Sequence, residues 1–317
     1  MGDPAGIGPE IALRACLSRQ LGRRARFVLV GDAGVFADTA RRLRLGRAWA
    51  ARRRPLPVEE VSALAAIERR PGAACGPGAE AAYRAILRAV DLVRGGGADG
   101  VVTAPVAKHA IQALGYDFPG HTELIARLAG DAEVRMMMAG PSLRVVLVTT
   151  HIPLRDVPAA VTAERVARTA EIARTALRRH FRIHRPRLAL AGLNPHAGES
   201  GAFGDEEQRV LAPAVRAARE RGVALDGPHP PDSVFFRARA GEFDAVIALY
   251  HDQGLIPFKL LHFHDGVNVT IGLPFPRTSP DHGTAFDIAG RGRADVSSMA
   301  SAIRMAADMA RRGAAGR

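Results

Sequence analysis

Lysine is almost missing from this 317-residue chain: Lys108 and Lys259 are the two lysines among 44 basic residues, and the others are arginines. Arginine keeps its proton throughout the physiological range, whereas lysine is a compact point charge whose pKa falls on burial. The two lysines therefore mark places where a guanidinium will not serve. Cysteine is equally scarce. Cys16 and Cys75 have neither zinc-knuckle nor redox spacing, which leaves two inert thiols. Long apolar runs are missing too: no stretch approaches the ~18 uncharged apolar residues of a spanning helix. Nor does a charged segment, an apolar segment and a small-residue cleavage site open the chain. These absences point to a cytoplasmic protein with no membrane partner.

The formal charge of +12 invites a nucleic-acid role, since clustered cations release counterions from phosphates. The distribution argues otherwise. Arginines are spread along expected helices, and clusters such as Arg52-Arg53-Arg54 and Arg178-Arg179 lack the interleaved aromatic residues on which bases stack. An arginine-biased solvated surface accounts for the charge.

Short apolar runs alternate with amphipathic stretches throughout, the pattern of repeated β-α units on a mostly parallel sheet. The spacing predicts helices over 9–21, 79–93, 163–179, 205–221 and 295–311. It predicts strands over 27–30, 101–103, 134–138, 143–149, 188–191, 245–249 and 267–271. The length suits two domains of ordinary size. Segment 45–78 is rich in proline and arginine and carries little pattern. The opening Met1-Gly2-Asp3-Pro4-Ala5-Gly6-Ile7-Gly8-Pro9-Glu10 reads as the turn after a strand, with Pro9 in the first helical turn. The strand itself is missing, so either translation starts upstream or the sheet lacks one strand.

Three of the expected buried strands run into a histidine: 143–149 into His151, 188–191 into His196 and 245–249 into His251. In an open parallel sheet the ligand crevice lies beyond the carboxyl ends of the strands, so these three imidazoles can converge there. Three neutral imidazoles make a metal site with positions left open for a substrate. His109, His180, His184, His229, His262 and His264 lack this placement and read as surface or packing residues.

Other motifs surround this edge. After Tyr250-His251-Asp252-Gln253, Lys259 falls about two turns into a following helix. Asn268 lies on the next strand, and the irregular polar loop 276–284 offers Arg277, hydroxyls and glycines to a phosphate or carboxylate. Gly120-His121-Thr122-Glu123 opens a helix over 123–128 with Thr122 as a cap, where unsatisfied N–H groups suit an anion. Asn194-Pro195-His196-Ala197-Gly198-Glu199 continues into a glycine-rich loop and an acidic helix start. No GxGxxG follows a strand, so an ordinary dinucleotide fold is not supported.

Taken together, GDPAGIGPE, GHTE, LNPHAGESGAFGDEE, ALYHDQGLIPFK and GVNVTIGLPFPRTSPDHGTAFDIAGRGRAD closely resemble the 4-hydroxythreonine-4-phosphate dehydrogenase family over nearly the whole chain. The resemblance implies an isocitrate/isopropylmalate-dehydrogenase-like α/β fold, with two α/β/α domains flanking a cleft and mixed, mostly parallel sheets. It implies a discontinuous first domain over 1–113 and 289–317, and a second over 114–288 carrying most of the metal and substrate residues. It further implies a homodimer with the active site shared between subunits, NAD bound without the glycine fingerprint, and a divalent cation (zinc, magnesium, manganese or cobalt). The family's metal histidines fall on His151, His196 and His251, the residues selected by the strand ends. Its substrate contacts carry over to His121, Thr122, Lys259, Asn268 and Arg277. Lys108, just past the strand over 101–103, is assigned to the phosphate or cofactor side.

The implied reaction is NAD-dependent oxidation of 4-phosphooxy-L-threonine to a 3-oxo acid, which decarboxylates to 3-amino-2-oxopropyl phosphate in pyridoxal 5'-phosphate biosynthesis. Asp232, Asp252 and Lys259 are the available general bases. Relatives that oxidise 4-phospho-D-threonate or 4-phospho-D-erythronate share these motifs. A metal-dependent hydrolase would also use three histidines and an open position. An arginine-rich nucleic-acid-binding module would not need them.

Overall fold

The computed structural model describes residues 1–51 and 56–314, so the Arg52-Arg53-Arg54 cluster lies outside the described residues. Its strands are β1 (Leu29–Asp32), β2 (Val58–Ser62), β3 (Val101–Val102), β4 (Arg135–Ala139) and β5 (Arg144–Leu147). They continue with β6 (Leu188–Ala191), β7 (Leu225–His229), β8 (Ala245–Ala248), β9 (Val267–Ile271) and β10 (Arg277–Pro280). The chain divides into two compact units, one of residues 1–132 and 273–310, the other of 133–272 and the residues from Arg311 onward. Among the described residues no helix is long and apolar enough to cross a membrane.

In the first unit β1 pairs in parallel with β2, and β10 in parallel with β3. Helix Gly8–Leu17 opens with Gly8-Pro9, where proline's fixed φ suits the first turn. It buries Ile11 and Leu13 with Phe36, Met299 and Ile303 in one apolar cluster. Helix Gly76–Arg94 turns a face of Ala79, Ala82, Ala85, Ile86 and Val90 inward.

The second unit is built on six strands in the order β9-β4-β5-β8-β6-β7. β4 runs antiparallel to both of its neighbours, whereas β5, β8, β6 and β7 are mutually parallel. β6 (LALA) and β8 (AVIA) are buried at every position, as strands covered on both faces must be. Leu147, Val246, Ala248, Leu255 and Phe258 lie in the unit's main apolar cluster. Gly254 is required where helix His251–His262 crosses the sheet, since a Cβ there would stand 2.6 Å from Val145 and 2.9 Å from Leu147.

The structure is thus α/β with a mostly parallel sheet, and its differences from the expected detail include β2, which falls in the patternless segment 45–78, and the break of the first helix at Ser18. β7 was not expected, because Gly227-Pro228 interrupts its pattern; it lies at the end of the strand order, where a missing N–H is tolerated. The loop over 276–284 is not irregular at its start. Arg277–Pro280 is a wholly buried strand in which Thr278 Oγ1 donates to Ala302 O at 2.8 Å and Arg277 Nη2 to Thr103 Oγ1 at 2.7 Å. The unit boundaries fall at 132/133 and 272/273 rather than after 113 and 288. Tyr83 stacks on Tyr116 at 4.1 Å and meets Phe118, which in turn abuts His121 at 5.9 Å, tying the segment after 113 to helix Gly76–Arg94. The β3–β10 ladder ties 277–280 to the same unit. His121, Thr122 and Arg277 therefore belong to the first unit, and Lys259, Asn268 and the three strand-end histidines to the second.

Candidate active site

β5, β8 and β6 are consecutive neighbours, with Leu147 opposite Ala248 and Leu190 opposite Ile247. Because they run parallel, His151, His251 and His196 all leave the same carboxyl edge. The His151 and His251 rings lie with centroids 5.4 Å apart. His196 packs instead beside Phe203, at 6.3 Å between ring centroids. Among the described residues no three His, Cys, Asp or Glu side chains form a group that could hold a metal. A single chain thus brings two of the three histidines together. His251 is the first residue of helix His251–His262, and its Nδ1 lies 2.7 Å from Asp252 Oδ1. Asp252 is exposed, as is Asp232 in the first turn of helix Pro231–Arg239, which follows β7 at this edge.

The edge is held by three buried polar side chains to which sequence reasoning gave no role. Thr149 Oγ1 donates to Leu249 O at 2.6 Å, bridging the ends of β5 and β8. Gln253 Oε1 accepts from Leu249 N at 2.7 Å while its Nε2 donates to Gly192 O at 2.6 Å, bridging β8 to β6. Glu207, 4% exposed, accepts from Leu193 N (2.7 Å), Asn194 N (2.8 Å) and Asn194 Nδ2 (2.9 Å). These contacts matter because the segment beyond is strained. His196, Ala197, Glu199 and Ser200 all have φ between +39 and +58 around Gly198. Left-handed backbone costs a residue with a Cβ about 1–2 kcal/mol, so the turn needs support from its surroundings. The signal available in sequence was the GDEE run, which reads as an ordinary acidic helix start.

In the first unit His121 opens helix His121–Leu128, with Gly120 as the N-cap. Thr122 therefore sits inside the first turn rather than capping it, because the extended Gly120 takes that position. Burial, and after it the Arg277 charge, lowers the His121 pKa to about 3, so this imidazole is neutral at physiological pH. Arg277, 3% exposed, donates from Nη2 to Thr103 Oγ1 at 2.7 Å. Burial brings its pKa down to about 10, partly offset by the Glu123 carboxylate. A buried guanidinium beside a neutral imidazole and a helix start suits an oxyanion.

The remaining expected residues are placed as follows. Lys259 is half-buried on the third turn of helix His251–His262. Asn268 pairs with Met138, and Met138 with Val145. It therefore lies in the sheet's interior rows rather than at the histidine edge, and its buried Oδ1 accepts no hydrogen bond among the described residues. Lys108 is exposed at the start of the short helix Lys108–Gln112. The opening segment gathers three other motifs: Asp3 N donates to Pro105 O (2.9 Å), Ile7 N to Thr284 O (2.9 Å), and buried Glu10 accepts from Gly292 N (3.3 Å) and Ala294 N (3.2 Å).

Residues 23–306 match the sequence model of a family described as pyridoxal phosphate biosynthetic protein PdxA. A 4-hydroxythreonine-4-phosphate dehydrogenase of Geobacter metallireducens is 49% identical over 98% of this chain and 94% of its own length. One from Paracoccus denitrificans is 47% identical over 98% of this chain and 96% of its own. The crystal structure of the Klebsiella pneumoniae enzyme of that name superposes with a TM-score of 0.85 at 43% identity, covering 98% of this chain and 96% of that one.

Proposed function

The chain belongs to the family of the pyridoxal phosphate biosynthetic protein PdxA, and from that premise we propose that it oxidises 4-phosphooxy-L-threonine at its secondary alcohol. The resulting 3-oxo acid loses carbon dioxide to give 3-amino-2-oxopropyl phosphate. The observation that carries this reading is the meeting of three parallel histidine-ended strands on one edge, with two of the rings 5.4 Å apart. That spacing fits one shared cation, since an imidazole centroid stands about 3 Å from a metal it ligates. His151, His251 and His196 are the proposed ligands. When bound, NAD accepts the hydride and the divalent cation serves as Lewis acid for the reacting oxygen.

Asp252, hydrogen-bonded to His251 Nδ1, fixes the ring so that Nε2 faces outward, the usual work of a carboxylate behind a ligand histidine. That occupation favours Asp232 as the group that takes the hydroxyl proton. Arg277 and Lys259 hold the anionic ends of the substrate, Arg277 backed by Thr103. His121, neutral next to Arg277, and Thr122 complete the oxyanion contacts around that guanidinium.

We further propose a homodimer in which His196 reaches the His151–His251 pair of the other subunit. Helix His251–His262 and its cap leave Ile256, Leu260 and Phe263 61%, 81% and 71% exposed, a stripe at helical spacing that starts one turn from the ligand histidine.

The test is NADH formation by the purified protein with 4-phosphooxy-L-threonine beside 4-phospho-D-threonate and 4-phospho-D-erythronate, before and after chelation. Turnover is expected with the first, lost on chelation and restored by a divalent cation. Preference for either sugar acid would move the enzyme to sugar-acid catabolism, and hydrolysis without NAD would make it a hydrolase.

A further inference from the structure

Thr149, Gln253 and Glu207 form a continuous hydrogen-bonded belt across the ends of β5, β8 and β6. Each member bonds the backbone a few residues from a strand-end histidine. Thr149 stands two residues before His151, and Gln253 links Leu249, two before His251, to Gly192. Glu207 takes over from there, holding Leu193 and Asn194 immediately ahead of the left-handed turn. Glycine at 198 lets the turn press against this carboxylate, since a Cβ there would stand 2.7 Å from Glu207 Oε2.

Besides this belt, Asn194 Nδ2 donates to Glu206 Oε2 at 2.7 Å, and the turn has little else to hold it. Pro195, His196, Glu199 and Ser200 are exposed, and its internal backbone bonds, Ala197 N to Asn194 O at 3.1 Å and Phe203 N to Gly198 O at 3.2 Å, stay within the loop. The belt is what anchors it to the sheet. Apolar side chains at 207 and 253 would leave the Leu193, Asn194 and Leu249 N–H groups without these acceptors, and the turn would be released from its frame.

We propose that Glu207 and Gln253 are positioning residues that fix the His196 turn for cation binding. This rests on the reading of His196 as a ligand, and neither residue touches the substrate. Outer partners that orient a ligand typically change metal affinity by about 10–100-fold when removed. The effect is expected in affinity and in ligand-field geometry, not in folding alone.

The experiment uses the full-length protein stripped of metal and titrated with Co²⁺ alone, read by visible absorption and by competition with a chelator. Glu207→Ala should weaken Co²⁺ binding by about 10–100-fold and alter the absorption bands. Glu207→Gln, which keeps an acceptor for the two backbone N–H groups but opposes an amide to Asn194 Nδ2, should fall between it and the parent. Gln253→Glu, which loses the donor to Gly192 O, should weaken binding similarly. Circular dichroism of the metal-free proteins separates this from unfolding; should Glu207→Ala not fold, Glu207→Gln and Gln253→Glu carry the test. Parent-like affinity and spectra in these folded variants, with binding lost in His196→Ala, would overturn the positioning role and leave the ligand reading intact. Unchanged binding in His196→Ala would overturn the ligand reading itself.

Discussion

Lys259 and His121 show how much single residues decide here. Lysine and arginine share a charge but not a shape, and Lys259 lies half-buried on a helix that also presents His251. Lys259→Arg is therefore expected to lower kcat/KM by about tenfold or more, the loss of one charge-assisted hydrogen bond, with an unchanged circular dichroism spectrum. Turnover at the parent rate would remove the argument from lysine scarcity. His121 makes a prediction about pH. Its folded pKa, about 3, lies below the ordinary 6.5, so the unfolded chain binds a proton that the folded chain refuses. The stability tied to this group is complete above about 6.5 and is lost as pH falls from there towards 3. In urea titrations at pH 7 and pH 5, His121→Gln should lose less stability between the two than the parent does. An equal loss would show that the ring is not held neutral.

Elements reveal where local pattern and tertiary demand part company. The turn over His196–Ser200 places residues with side chains where glycine is favoured, and Ala197 at φ +55 bears that cost for no hydrogen bond of its side chain. Ala197→Gly should raise the urea midpoint by an amount worth about 1 kcal/mol. Gly198→Ala should lower it by at least about 1 kcal/mol, because φ is +79 and Glu207 occupies the space. Opposite signs at adjacent positions would be hard to obtain from a loop that simply lacks order. β6 and β8 were legible in sequence because strands buried on both faces read as short unbroken apolar runs. β7 and β10 were not, since glycine and proline in one and four polar-to-neutral residues in the other conceal pairing that only neighbouring strands supply.

At the scale of the whole molecule, the exposed stripe of Ile256, Leu260 and Phe263 belongs to an association surface in the proposed dimer. Ile256→Asp with Leu260→Asp should convert the protein to a monomer in sedimentation velocity and weaken Co²⁺ binding with it. A dimer that persists with full metal affinity would place the interface elsewhere. The candidate site was legible to different depths. By itself the sequence determined the alternation of strand and helix, the three strand-end histidines and the scarcity of lysine, because periodicity and residue chemistry are local properties. Tertiary structure alone decided that the histidine-bearing strands are neighbours, that two rings meet while the third stands on a strained turn, and that Glu207, Gln253 and Thr149 brace the edge. Those outcomes depend on strand order and on burial, which bring together residues far apart in the chain and set what each hydrogen bond is worth.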